Sequence, residues 1–371
     1  MFNFKFQLTI TMKKNVILFL AIFLTGSTYS QQVKIANSEV KGIASSNVAG
    51  QEYELQIMLP SKYTTTKKYP VLYLMDSQWD FPLVTSLYGQ QYFDGFIPEM
   101  IIVGVTWGGK NPNPDSLRAR DYTPTNEKRL PQSGGADKYL SFMKNELFPF
   151  IEKNYSANAN DRTLMGCSLG GLFTLYTLFT HPEMFQRYVA TSPAFMWDNE
   201  VLYQYEKKYA ANKSNPPAKL FMCVGGVERS VSGFQKLTKY LNDQHYSSLQ
   251  IESRVLENTG HSGTKGEGFA RGLQYVLERP SIKLSAEILN NLTGNYQSEN
   301  GNNIQIKKEE NTLVIYFSSN NKYQLLAAGE NDFYSKAEFL KIHFKINNTD
   351  GTGFQLDRYG NTQFFKKNKS E

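Results

Sequence analysis

The chain has 371 residues, of which 40% are hydrophobic and 20% are charged. This length and apolar content are enough for one large domain and a smaller one, and the presence of only two cysteines excludes a disulfide scaffold. The formal net charge is +6 and falls to +3 without the three lysines of the first 30 residues, which argues against a nucleic-acid-binding protein.

The first 30 residues have the pattern of a secretory signal peptide. Lys13 and Lys14 form a basic start, and the apolar run from Val16 to Leu24 is too short to span a bilayer. We expect cleavage after Ser30 and a secreted or periplasmic mature protein with no stable membrane insertion. A retained membrane anchor is the alternative. A lipid-anchored form is disfavoured because no cysteine lies near the cleavage point.

Alternating strand and helix patterns fill the region from residue 39 to residue 277. Polar and apolar residues alternate first, as in half-buried antiparallel strands, at 40–43 and 53–59. Mostly apolar runs typical of covered strands then follow at 71–75, 100–105, 162–165, 188–191, 219–224 and 251–256. Helices are predicted between them at 137–154, 172–180, 234–242 and 268–277. We therefore predict an α/β fold with a mostly parallel sheet and antiparallel strands at its start.

The pattern changes after Pro280. Short runs of β-forming residues, separated by Asn, Gly and Asp turns, continue from residue 292 to residue 367 without a helical stripe. We therefore divide the sequence into a signal peptide at 1–30, an α/β domain at 31–280 and a small antiparallel β domain of unknown role at 281–371.

The segment Gly166–Gly171 carries the strongest functional signal. Its Gly-x-Ser-x-Gly pattern lies between a predicted strand and a predicted helix, which is the nucleophile elbow of α/β-hydrolases. The serine of an elbow lies at the tip of a strained turn, so the residues two before and two after it must be small. The pattern predicts the α/β-hydrolase fold with Ser168 as nucleophile. The neighbouring thiol of Cys167 is better explained as a small buried side chain.

A serine nucleophile needs a histidine base, which in this fold comes last in the order serine, acid, histidine. The sequence has four histidines. His181 would lie at the far end of the helix that follows Ser168, His245 precedes the last strand, and His343 lies in the β domain. His261 lies in a glycine-bearing loop directly after a strand, where open α/β sheets place their active sites, and is the predicted base.

Three carboxylates are candidates for the acid that orients His261. Glu228 follows the end of the preceding strand and is favoured. Asp198 lies one strand earlier, and Glu257 is close to His261 in sequence. Both remain candidates.

Two backbone N–H groups are expected to stabilise the oxyanion. One is that of Leu169, at the start of the helix after the nucleophile. The other is expected from the loop 76–79 after the first buried strand, and Gln78 is our choice.

From about residue 39 to residue 277 the sequence resembles the putative-esterase family of α/β-hydrolases, which includes siderophore trilactone esterases, feruloyl and acetyl-xylan esterases, esterase D-like enzymes and mycolyltransferases. The segments that carry the resemblance are Tyr73–Asp76, Arg120–Pro124, Gly134–Ala136, Gly166–Gly171 and Ser192–Pro193. They look most like the siderophore-esterase branch, in which some members are described as relying on a serine–histidine pair with a weak or absent acid. Two positions differ from the family pattern, since Ser77 replaces a common glycine and Cys167 replaces a histidine or another bulky residue.

The resemblance implies that Arg120, Trp197 and Trp107 contact substrate. An arginine suits planar oxygen groups, and the two indoles would form walls of the pocket. The alternative for Arg120 is an ion pair with Asp121 or another carboxylate that fixes its loop.

The sequence therefore predicts a secreted serine esterase that forms an acyl-enzyme on Ser168, with a siderophore trilactone as the favoured substrate. A feruloyl or acetyl-xylan ester is the second choice of substrate. Acyl transfer and a non-catalytic binding module are less favoured functions. We expect no cofactor and no metal, because the four histidines are scattered and the two cysteines are far apart in sequence. The expected partner is a small-molecule or glycan-linked ester, not a nucleic acid.

Overall fold

The computed structural model describes residues 34–279, 281–347 and 351–368. The predicted signal peptide and its cleavage point lie outside these residues and stay predictions. Within the described part, no helix is both long and apolar enough to cross a membrane. The described residues from Asn37 onwards belong to one compact unit.

An eight-stranded sheet forms the core of the first part of the fold. Its strands are β1 Ser38–Ala44, β2 Glu52–Met58, β3 Tyr69–Leu74, β4 Ile101–Trp107, β5 Ala157–Cys167, β6 Arg187–Thr191, β7 Ala218–Gly225 and β8 Leu249–Leu256. The strand order is β1-β2-β4-β3-β5-β6-β7-β8. The β1/β2 and β2/β4 pairs are antiparallel, and each remaining pair of neighbours is parallel. The predicted α/β-hydrolase fold, with antiparallel strands at its start, is confirmed.

Helices connect most of the parallel strands. They are α1 Ser77–Phe93, α2 Pro114–Tyr122, α3 Ala136–Phe142, α4 Phe148–Asn154, α5 Leu169–Thr180, α6 Leu202–Ala211, α7 Val231–Asp243, α8 Thr264–Val276 and, before the second sheet, α9 Ala286–Asn291. A π-helical turn at Met143–Leu147 joins α3 to α4, and a short turn at Trp197–Glu200 precedes α6.

The prediction misses the short helix α9 and three longer helices, α1, α2 and α6. The buried faces of the three longer helices include the charged residues Asp80, Asp121 and Glu206. A charged residue on the buried face interrupts the apolar period on which a helix prediction depends. The predicted loop at 76–79 is correspondingly wrong, because only Asp76 lies outside α1 and the helix begins at Ser77.

The second part of the fold is a closed antiparallel barrel. Its strands are β9 Gly294–Ser298, β10 Asn303–Glu309, β11 Thr312–Ser318, β12 Asn321–Ala327, β13 Asp332–Tyr334, β14 Leu340–Asn347, β15 Gly351–Arg358 and β16 Asn361–Lys367. β16 pairs with β9 and closes the ring. The predicted antiparallel β fold is confirmed, whereas its closure into a barrel was not predicted.

The barrel contacts the end of α1 through aromatic side chains. Phe93 stacks on Tyr359 with ring centroids 4.9 Å apart, and Tyr92 meets Phe339 edge-on at 5.3 Å. The ammonium group of Lys62 also donates a hydrogen bond to a carbonyl of the β15–β16 turn. The domain boundary at residues 280 and 281 stays a prediction.

Candidate active site

Ser168 occupies a sharp turn between β5 and α5. Its backbone angles are φ 60° and ψ −117°, a strained combination for a residue with a side chain. The turn requires its glycines: a Cβ on Gly166 would lie 2.5 Å from the backbone of Gly170. This is the geometry of a nucleophile elbow.

Backbone hydrogen bonds hold the elbow against the end of β6. The Ser168 N–H donates to the carbonyl of Thr191 at 3.0 Å, and the Ser168 carbonyl accepts from the N–H of Ala194 at 3.0 Å. The serine therefore lies at the carboxyl end of the parallel strands, where open α/β sheets form their ligand sites.

Glu228 lies in the turn after β7 and accepts hydrogen bonds on both carboxylate oxygens. Oε1 accepts from the Ser192 hydroxyl at 2.6 Å and from the Gly225 N–H at 2.8 Å. Oε2 lies 2.7 Å from Nδ1 of His261. Burial alone would raise the pKa of Glu228, but the hydrogen bonds from Ser192 and His261 outweigh it and hold this pKa below its usual value.

His261 lies in the loop between β8 and α8, and half of its side chain is exposed. A carboxylate on Nδ1 orients the ring and leaves Nε2 available for another partner. The other histidines lie elsewhere: His181 ends α5, His245 follows α7, and His343 contacts Asp332 in the barrel.

The two alternative acids have different surroundings from Glu228. Asp198 lies in the short turn after β6 with φ 44°, and Glu257 is exposed in the turn after β8. Among the described side chains, neither makes a hydrogen bond to His261.

The starts of α1 and α5 meet beside the elbow. A Cβ on Gly170 would lie 3.3 Å from both Met75 and the Asp76 carboxylate. The first turns of α1 and α5 therefore lie side by side. Gln78 and Leu169 each place a backbone N–H group in one of these turns. The first N–H groups of a helix have no acceptor within the helix.

Two ion pairs missed by the sequence analysis surround Trp79 at this point. Arg118 of α2 binds Asp76 through two hydrogen bonds of 3.1 and 2.8 Å, and Lys265 of α8 binds Asp80 at 2.8 Å. Both cations lie within 6 Å of the Trp79 ring centroid, at 5.5 and 5.8 Å. We call these two pairs the ion-pair cluster. It links the start of α1 to α2 and to the helix that follows His261.

Burial governs the electrostatics of the ion-pair cluster. It raises the pKa of Asp76 and Asp80 above the usual value, while their partners Arg118 and Lys265 oppose the shift. No sequence motif joins these residues, because they come from three segments that are far apart in the chain: residues 76–80, residue 118 and residue 265. One feature of the sequence could have indicated the cluster: Asp76 and Asp80 flank Gln78, the predicted oxyanion donor.

The three predicted substrate contacts have protein partners. Arg120 forms a two-pronged ion pair with Asp121 at 2.7 and 2.9 Å. The indole N–H of Trp107 donates to the same carboxylate at 2.7 Å, and this side chain is only 4% exposed. Trp197 is partly exposed and donates to the Thr125 hydroxyl at 3.1 Å. Substrate contact by these residues stays a prediction.

The cysteines are buried and unpaired. Burial raises the pKa of Cys167, and it raises the pKa of Cys223 to about 12. Neither thiol is therefore readily ionised. Within the described residues, no group of three or more His, Cys, Asp or Glu side chains is arranged to hold a metal ion.

A comparison of this sequence with known protein families identifies the family to which it belongs. The family model for putative esterase matches residues 46–262, more than half of the chain. The chain belongs to the putative esterase family. This protein is therefore an esterase, an enzyme that hydrolyses ester bonds.

Relatives of this esterase include siderophore esterases. Ferri-bacillibactin esterase BesA of Bacillus subtilis (strain 168) is 30% identical over 281 residues, which are 70% of this chain and 96% of that protein. Siderophore triacetylfusarinine C esterase of Aspergillus fumigatus is 29% identical over 174 residues, 45% of this chain and 60% of that protein. The crystal structure of the BES protein from Bacillus cereus aligns with a TM-score of 0.63 and 28% identity over 67% of this chain and 98% of that one. The family model ends before the barrel.

Proposed function

We propose that this esterase hydrolyses its substrate through an acyl-enzyme on Ser168, with His261 as general base and Glu228 as the acid that orients it. The contact between Glu228 and Nδ1 of His261, 2.7 Å long, carries the proposal because it pairs a carboxylate and a histidine in the required chain order after an elbow serine. It also favours Glu228 over Asp198 and Glu257.

A continuous set of contacts supports the link from this pair to the serine. Ser168 bonds to the backbone of Thr191, the next residue is Ser192, and the Ser192 hydroxyl binds Glu228. Among the described residues, no hydrogen bond joins the Ser168 hydroxyl to His261. We propose that this last link forms when substrate enters, since catalytic hydrogen bonds often tighten only in the substrate complex.

The proposed reaction has two halves. Ser168 Oγ attacks the ester carbonyl carbon while Nε2 of His261 takes the hydroxyl proton, and the resulting oxyanion accepts hydrogen bonds from the backbone N–H groups of Leu169 and Gln78. The intermediate then expels the alcohol, which leaves with the proton from His261.

Water completes the cycle. It attacks the acyl-enzyme carbonyl while His261 takes one of its protons, and the second tetrahedral intermediate expels Ser168 Oγ, which regains that proton. Glu228 stays ionised throughout and stabilises the histidinium. Its lowered pKa supports this role.

A siderophore ester of the trilactone type is the proposed substrate. The relatives named as esterases of ferri-bacillibactin and of triacetylfusarinine C support this choice. We also propose that the protein acts after export, on the basis of the signal-peptide pattern in the first 30 residues.

Two measurements on residues 31–371 test this proposal separately. Replacement of Ser168 by alanine is expected to abolish p-nitrophenyl acetate hydrolysis, and equal rates for the variant and the wild type would overturn the catalytic assignment. Product chromatography with ferric enterobactin and methyl ferulate tests the substrate. We expect faster cleavage of the siderophore, and faster cleavage of the ferulate would assign the enzyme to the carbohydrate esters.

A further inference from the structure

One end of the barrel opens into a cavity that no part of the proposed reaction uses. This end, which we call the barrel mouth, is where turns join β9 to β10 and β15 to β16. The cavity has a volume of about 910 Å³ and is lined by residues that include Asn302, Phe317, Arg358, Asn361 and Gln363. All of these residues follow the end of the family-model match at residue 262.

The chemistry of the barrel interior changes towards this end. Deeper inside, Ile315, Leu356 and Phe365 are buried in the apolar core of the barrel. Side chains alternate faces along a strand, so the residues two positions closer to the mouth point into the same interior. These residues are Arg358 and Gln363. Phe317 lies at a register shift on β11, and its side chain packs against the same apolar core. The interior therefore has an apolar floor and, above it, a layer of polar and aromatic side chains.

This arrangement differs from that of a barrel whose interior is filled only by apolar side chains that stabilise the fold. An eight-stranded barrel is just wide enough either to be filled by its own side chains or to hold one small ligand. Here the inward positions near the mouth carry an amide and a guanidinium instead of further aliphatic side chains. Polar groups that converge above an apolar floor are a feature of small-molecule sites.

Among the described residues that line the cavity, the one cationic side chain is Arg358, and its charge is already neutralised. Arg358 donates from Nε to Glu338 at 2.6 Å, and the Glu338 side chain is only 5% exposed. The guanidinium also lies over the Phe317 ring, 4.7 Å from its centroid. An ion pair held in this way gives no net charge to attract an anionic ligand. The remaining polar lining consists largely of amide side chains, which donate and accept hydrogen bonds at once.

We propose that the barrel mouth binds a neutral saccharide of one or two sugar units. Sugar hydroxyls both donate and accept, as the side chains of Asn302, Asn361 and Gln363 do. The ring of Phe317 and the apolar floor suit the C–H faces of a sugar. The volume of the cavity lies within the usual range for small-molecule sites, about 300–1,000 Å³. This site is separate from Ser168 and does not depend on the proposed esterase mechanism.

The test uses residues 31–371 and four disaccharides: xylobiose, maltose, cellobiose and diacetylchitobiose. Saturation-transfer difference NMR with each sugar at millimolar concentration detects binding, and titration then gives the dissociation constant. We expect saturable binding of at least one of the four. A folded wild-type protein that binds none of them would overturn the proposal.

Matched variants place the binding within the barrel. Gln363→Ala removes an amide from the mouth, and Gln324→Ala removes an exposed amide from β12 that does not line the cavity. We expect the first change to weaken binding at least tenfold, about 1.4 kcal/mol, and the second to leave the dissociation constant within about twofold. Circular dichroism checks that each variant is folded. The second mouth variant is Asn361→Ala, at the first residue of β16. Unchanged affinity in both mouth variants would overturn the assignment of the site.

Discussion

Glu228 beside the elbow and Glu338 beside the barrel mouth are two carboxylates in comparable settings with different partners. For both, hydrogen bonds lower the pKa below its usual value against the opposing effect of burial. Glu228 faces a half-exposed histidine, and Glu338 faces an arginine. A histidine gains and loses a proton near neutral pH, whereas an arginine keeps its proton. A carboxylate in the same kind of setting can therefore serve proton transfer beside a histidine and only neutralise a fixed charge beside an arginine.

The strongest test of this contrast replaces the carboxylate beside the histidine. Glu228→Gln keeps the shape but removes the charge that selects the tautomer of His261, so we expect kcat for p-nitrophenyl acetate to fall on the order of 10⁴-fold. Glu257→Gln, in the exposed alternative acid, is the matched control and should stay within about twofold. The reverse result would assign the acid to Glu257 and remove Glu228 from the comparison.

The ion-pair cluster provides the next largest effect. Asp80→Asn leaves Lys265 partly buried without its partner, and breaking a buried pair typically costs about 3 kcal/mol of unfolding free energy. Because the pair links the start of α1 to the helix after His261, kcat should also fall, about tenfold. Urea unfolding and steady-state kinetics measure both effects.

The control for this prediction is the exposed pair of Lys239 and Asp243 on α7. Asp243→Asn should change the unfolding free energy by about 0.5 kcal/mol or less and leave kcat unchanged. Equal effects of Asp80→Asn and Asp243→Asn would show that the ion-pair cluster does not position the site.

The elbow glycine gives a smaller expected effect on stability. A Cβ at Gly166 would lie 2.5 Å from the backbone of Gly170, so Gly166→Ala should lower the unfolding free energy by about 1–3 kcal/mol and also reduce activity. Gly266 of α8 has open space around it, and Gly266→Ala should instead stabilise the protein by about 0.5–1 kcal/mol, the helix-propensity gain. Thermal denaturation distinguishes the two signs, and stabilisation by Gly166→Ala would contradict the elbow geometry.

The pH dependence of stability gives the smallest signal. The pKa of Glu228 in the folded protein lies below the ordinary value of 4.5. Its contribution to stability is therefore fully present above the ordinary value and is lost as the pH falls through the folded-state pKa. The stability difference between wild type and Glu228→Gln should shrink in that acid range, as measured by urea unfolding at several pH values. A difference that widens towards acid pH would contradict the hydrogen-bonding account of Glu228.

The sequence predicts the parts of this molecule that depend on local patterns. The buried strands, the elbow at Ser168 and the contact between His261 and Glu228 follow from apolar runs, a glycine-serine motif and the chain order of a known fold. In each case the informative residues are close in sequence or lie at defined strand ends.

Features built from distant polar residues could not be predicted in the same way. Asp80 interrupts the apolar stripe of α1, and its partner Lys265 lies on another helix, so neither the helix nor the ion pair leaves a local pattern. The closure of the barrel depends on the pairing of β9 with β16, which are separated by the whole β domain. Contacts of this kind are fixed by tertiary packing and not by periodicity.

The most direct test of the central claim is to trap the acyl-enzyme. Rapid acid quenching during p-nitrophenyl acetate turnover, followed by peptide mass spectrometry, should find one acetyl group on the peptide that contains Ser168 and none on the same peptide of Ser168→Ala. Acetylation of another residue, together with unchanged turnover by Ser168→Ala, would contradict the account.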